Sequence, residues 1–149
     1  MEKSQISVRQ ADASDMAQIL EFYKAGLVEI EEEWAESLLV QKVFESFKLA
    51  PTFILEVDGR AQGMAGFTVV KTEHSGRLVM CDYIFYIRPK YRNIKTLGAL
   101  VKAAQEFSKE QDMALHVEFI LNDDEGLRKR VLEIHGFKAK AILGEYRHV

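Results

Sequence analysis

Four cations fall within eight residues of this chain: Arg88, Lys90, Arg92 and Lys95 in the run Arg88-Pro-Lys-Tyr-Arg-Asn-Ile-Lys95. A strand of strong β-formers, Leu78 to Ile87, leads into that run, and an amphipathic helix begins near Thr96. A strand, a cationic turn and a helix N-terminus together can hold phosphate. The first amides of a helix have no intrahelical partner, and its dipole favours an anion there. Arg92 is the best single ligand, because its fork binds phosphate bidentately. The competing reading is an ordinary solvated basic loop.

Asp82 is the second chemical signal. It sits in a strand otherwise built of Leu, Val, Met, Cys, Tyr, Ile and Phe. A carboxylate in an apolar strand costs free energy unless paired, and burial raises its pKa. That suits a general base near neutrality; a structural ion pair or hydrogen bond is the alternative. Strand alternation places Asp82, Ile84 and Tyr86 on one face. Tyr83, Tyr86 and Tyr91, and less strongly Tyr146, are candidate proton donors, or packing residues. His116 and Glu118 lie two apart on a later strand, in a cleft or at a surface edge. No third ligand has suitable spacing, so no metal is expected. Cys81 is either a nucleophile or an inert half-buried thiol. Glu29, Glu31, Glu32, Glu33 and Glu36 form an acidic cluster that either attracts an amine or serves a helix end.

These residues sit in an ordinary globular composition. The chain has 149 residues, 48% hydrophobic and 29% charged, and is expected to form a single domain spanning 1–149. A net charge of −3 argues against nucleic acid as a partner. One cysteine excludes an internal disulfide and fits a reducing compartment. The N-terminus lacks the apolar run of a signal peptide, and no stretch approaches the roughly 20 apolar residues that span a bilayer. A cytoplasmic protein without a membrane partner is expected.

The elements that must position the candidates follow from periodicity. Ile6 and Val8 alternate in a first strand, and Asp12 offers an N-cap to a helix running to about Gly26. A second helix is expected from about Glu32 to Lys48, with Trp34, Leu38, Leu39, Val43, Phe44 and Phe47 as its apolar stripe. Three strands follow, Thr52–Val57, Gln62–Lys71 and Arg77–Ile87, the first two joined at Asp58-Gly59. Leu97, Leu100, Val101, Ala104 and Phe107 mark the next helix, and Ala114–Leu121 the next strand, parallel to 78–87. Asp123 caps a last helix that ends through His135 at Gly136, and Phe137–Tyr146 reads as a final strand. The fold class is α/β (α+β): a mixed, mostly antiparallel sheet with helices on both faces, in the order β-α-α-β-β-β-α-β-α-β.

This order resembles the GNAT superfamily of acyl-CoA-dependent N-acyltransferases over nearly the whole chain. Ile6-Ser-Val-Arg-Gln-Ala-Asp-Ala-Ser-Asp15 looks like the GNAT opening. Phe85-Tyr-Ile-Arg-Pro-Lys-Tyr-Arg92 looks like the entry to the cofactor turn, and His135-Gly136-Phe137 like the entry to the last strand. The resemblance implies acetyl-CoA or another acyl-CoA as co-substrate, with a small-molecule or peptide amine as acceptor. Tyr86, Ile87, Arg88, Arg92, Asn93, Lys95, Thr96, Leu97 and Gly98 would hold it. Backbone amides near Tyr86 and Ile87 would polarise the thioester, with Asp82 as base and Tyr86 as acid. The chain departs from the family pattern at Lys95 and Leu97, where glycines are usual, and at Leu132, where a tyrosine is usual. A catalytically inactive GNAT-fold binding or structural module is therefore the alternative. A homodimer through the final strand or the acidic region is one reading of its assembly.

Overall fold

The structure, a computed structural model, describes residues 3–118 and 125–139. Among the described residues five strands form one sheet in the order β1-β2-β3-β4-β5: β1 Ile6–Gln10, β2 Thr52–Val57, β3 Arg60–Lys71, β4 Leu78–Ile87 and β5 Ala114–His116. The first three pairings are antiparallel, and β4 with β5 is parallel. Helices α1 Met16–Glu29 and α2 Glu36–Leu49 precede β2, α3 Ile94–Glu110 joins β4 to β5, and α4 Glu125–Ile134 follows.

The core lies in two layers, one on each face of the sheet. Phe53, Leu55, Phe67, Met80, Phe85 and Ile87 meet α3 and Val131 of α4. Ile54, Met64, Ile84 and Tyr86 meet Ile19 and Phe22 of α1 and Val43 of α2. This is the mixed sheet with helices on both faces that the sequence pattern predicts. Asp58 and Gly59 both take positive φ, 52° and 79°, the paired left-handed geometry of a tight hairpin.

The differences from expectation are local. Glu31 takes a positive φ of 58°, and Ala35 is extended, so α2 begins at Glu36 rather than Glu32. Trp34 is therefore outside it, and Leu38 and Phe44 are 64% and 56% exposed. Leu39, Val43, Ser46 and Phe47 press on the sheet side. Helix α3 begins at Ile94, two residues early, because Asn93 rather than a later residue caps it. Asp123 and residues 119–121 and 140–146 lie outside the described residues, and 137–139 form no regular element.

A register shift in the β3–β4 ladder decides the geometry of the site. Gly66 pairs with Ile84 and Phe67 with Asp82, which leaves Tyr83 as an extra residue on β4. Gly66 makes room for it: a Cβ there would lie 2.5 Å from the Tyr83 ring. The bulge reverses the side-chain alternation. Asp82, opposite Phe67 and two residues from Met80, thus faces the α3 side, while Ile84 and Tyr86 face α1. The shared face expected for Asp82, Ile84 and Tyr86 does not form.

The entry to α1 is held by charge. Asp15 accepts both guanidinium nitrogens of Arg9 at 2.8 Å and the Asp12 amide at 2.9 Å. The Arg9 hydrogen bonds hold its pKa below the usual 3.8. A carboxylate depressed on folding stabilises above its unfolded pKa, and that stabilisation fades as pH falls through the folded value. We expect Asp15→Asn to cost about 1 kcal/mol at pH 7. In urea unfolding the difference from wild type should shrink as pH falls below the ordinary carboxylate range.

Candidate active site

The β4–β5 pairing stops at Cys81 with His116. Strand β4 runs on for six residues to Ile87, past the bend at Tyr83. Asp82 Oδ1 accepts the Glu118 amide at 2.8 Å, straight after the last paired residue. Its carboxylate thus straps the departing strand to β4 where the ladder ends. His116 and Glu118 are exposed there. Cys81 is partly buried, and burial pushes its thiol pKa up, which favours the un-nucleophilic form.

The two backbone amides expected to polarise a carbonyl are not equivalent. Arg88 donates its N–H to Gln62 O at 2.9 Å, so 88 and 62 form a hydrogen-bonded antiparallel pair. The adjoining pair, Ile87 with Gly63, is then of the other type. Its N–H and C=O point away from β3, toward the side where β5 has diverged. Ile87 O accordingly accepts Arg92 Nε at 2.6 Å. By the same alternation the Tyr86 amide points to β3. Of the two amides, Ile87 is the one turned away from β3.

The basic turn is bound up within the fold. Arg92 donates to both oxygens of Glu29, at 2.7 and 2.6 Å, and stacks over the Tyr86 ring with its centroid 5.4 Å away. Its side chain is only 10% exposed. Arg88 lies 3.5 Å from Glu21 and over the Phe22 ring, and Lys90 lies over Tyr91. Lys95 is exposed at the first turn of α3. Glu29 and Glu36 of the acidic cluster serve as local partners, the first for Arg92 and the second for Lys24 at 2.7 Å.

The N-terminus of α3 is capped from within. Asn93 Oδ1 accepts the amides of Lys95 at 2.9 Å and Thr96 at 3.0 Å, and the Thr96 hydroxyl oxygen accepts the Asn93 N–H at 3.1 Å. These are amides an anion would use. Leu97 turns wholly into the α3-side core. Gly98 faces α4, where a Cβ would stand 3.0 Å from His135 Cε1, so it is a packing glycine. Leu132 packs on the same core. A groove of about 620 Å³ runs past Arg92, Asn93, Ile94 and Lys95 to Leu127.

Tyr86 is 7% exposed and packs on Phe22, ring centroids 5.6 Å apart. Burial, then the Glu29 charge, raises its pKa, so the phenol stays protonated. Tyr83 is also raised by burial, against Ser46 and Tyr23. Among the described residues no group of His, Cys, Asp and Glu could hold a metal ion. Among the described residues, too, no helix is long and apolar enough to cross a membrane. Sequence reasoning missed Gln62, a buried amide at the start of β3 beside Tyr86. Its signal was the one that marked Asp82, a polar residue opening an apolar run.

Neither a protein-family model nor a curated protein sequence matches the chain. Solved structures do. AAC(6')-Iy, in complex with a CoA bisubstrate analogue of acetylneamine, superposes with a TM-score of 0.75 at 15% identity, over 97% of this chain and 99% of that one. A predicted acetyltransferase of Clostridium acetobutylicum with acetyl-CoA gives 0.74 at 14% identity, over 96% of each. An aminoglycoside acetyltransferase from an uncultured soil metagenomic sample gives 0.69 at 12%, over 97% and 95%. With β4 and β5 parallel and parting at Cys81, and helices on both faces of the sheet, the chain has the fold of the GNAT acyl-CoA N-acyltransferases.

Proposed function

We propose that the chain is an acyl-CoA-dependent N-acyltransferase that passes an acyl group to a small amine by direct attack. The observation that carries this reading is the end of the β4–β5 pairing at Cys81 with His116, with the Ile87 amide beyond it directed away from β3. An acyl-CoA supplies an activated thioester. The Ile87 N–H is a preorganised donor for the oxyanion that develops there. The attacking amine gives up its proton to solvent, and the CoA thiolate, a good leaving group, takes one from solvent, because the Tyr86 phenol lies against α1 rather than beside the thioester. Asp82 enters as the strap that holds β5, on the opposite face from Tyr86, rather than as the base. Relatives in fold act on aminoglycoside amines or carry acetyl-CoA, which supports the reaction class.

Lys95, Thr96 and the groove to Leu127 fit a pyrophosphate once the Asn93 side chain leaves its two amides. That cap also favours a second reading, a binding or structural module that has given up the co-substrate. Calorimetric titration with acetyl-CoA separates the two. We expect saturable binding by the wild type, and about thirtyfold tighter binding by Asn93→Gly, since the two freed amides are together worth about 2 kcal/mol. Glycine at an N-cap costs folding only a few tenths of a kcal/mol. No binding to either protein at millimolar acetyl-CoA would discard the enzyme reading.

A further inference from the structure

A second cavity, of about 500 Å³, lies on the α1 face of the sheet at the ends of β3 and β4. It is on the β3 side of β4, across that strand from the opening toward β5. Its walls are Phe22, Gln62, Tyr86 and Tyr91, with Glu21 and Arg88 at the rim. Its size falls in the range of small-molecule sites.

Two of its lining residues are polar and more than nine-tenths buried: Gln62 at 9% exposure and Tyr86 at 7%. Neither side chain has a hydrogen-bond partner among the described residues. Their polar atoms open onto the cavity, where they are accessible to a bound molecule rather than sealed in the core. Both line the same space, so whatever fills it must meet a carboxamide and a phenol. We propose that this cavity is a binding site for a small carboxylate with an apolar body.

The donor set selects the anion. A carboxylate only accepts hydrogen bonds. Gln62 offers two N–H donors, Tyr86 an O–H, and Arg88 a planar fork suited to carboxylate. Arg88 is 44% exposed, with Glu21 at 3.5 Å and the Phe22 ring beneath it, so its fork can turn to a ligand at the rim. Arg88 and Lys90 against Glu21 leave one net positive charge on the lining. Glu29 and Arg92, behind Tyr86, neutralise each other. One positive charge matches a monocarboxylate and falls short of a phosphate dianion. An ammonium would find only Glu21, already beside Arg88. The rings of Phe22 and Tyr91 give the apolar body its surface.

Benzoate is a suitable probe, with benzylamine and inorganic phosphate as comparisons. We expect millimolar benzoate to shift the Gln62 side-chain amide resonances saturably, and calorimetry to show about tenfold weaker binding in Gln62→Leu and in Arg88→Gln. Arg88 is exposed enough that its variant keeps the fold, which melting curves check. The proposal is overturned if benzoate gives no saturable shift, if either variant binds it as well as wild type, or if benzylamine or phosphate binds as tightly.

Discussion

Replacing Arg92 with alanine should cost about 3–5 kcal/mol of folding stability, the range for breaking a buried ion pair from one side. The guanidinium joins three segments at once. It donates to both Glu29 oxygens at the end of α1 and to the Ile87 carbonyl oxygen at the end of β4, and it covers the Tyr86 ring. Without it, a Glu29 side chain that is 22% exposed keeps a charge with no counterion, and the Ile87 carbonyl loses its donor. The urea midpoint should fall with the slope unchanged. A Glu29→Ala, Arg92→Ala cycle should show coupling of about 2 kcal/mol. This bears on the co-substrate too. If Arg92→Ala abolishes acetyl-CoA binding while stability stays within about 0.5 kcal/mol of wild type, Arg92 is a phosphate ligand and the ion pair is incidental.

The architecture was legible because its signals are local. The sequence pattern set β2 to the residue and β4 to within one, Asp58-Gly59 set the β2–β3 hairpin, and the three-and-four spacing of Leu97, Leu100, Val101 and Ala104 set the buried face of α3. The site was less legible, for two physical reasons. The cations at 88 and 92 answer acids on α1, far away in sequence, and ion pairs between distant segments leave no periodic trace. The bulge at Tyr83 inserts one residue without breaking the apolar run, so alternation carried Asp82 to the wrong face. A sign was present in Gly66, since glycine inside a strand often marks a bulge or a close approach. Asn93 with Thr96 three residues on was likewise an N-cap signature, lost among the basic residues around it.

Gly63→Ala should be nearly as damaging as the loss of Arg92, and for a steric reason. Gly63 sits opposite Ile87, and a Cβ there would fall 2.6 Å from the Tyr86 carbonyl oxygen and 2.9 Å from Ile87 Cα. Both are backbone atoms, so no rotamer relieves the contact and the strands must part. Overpacking of this kind costs about 1–3 kcal/mol, and the rigid neighbours put Gly63→Ala at the top of that range. Gly59→Ala is the contrast, with open space around its Cβ and only its positive φ to strain it, for about 1 kcal/mol. The parting also moves the donor proposed for the reaction. A displacement of about 1 Å at Ile87 should lower turnover about a hundredfold, with the Ile87 amide resonance shifted in the folded variant. Wild-type stability in Gly63→Ala would mean that β3 and β4 yield at this point, and that Ile87 is not held firmly enough to act as a preorganised donor.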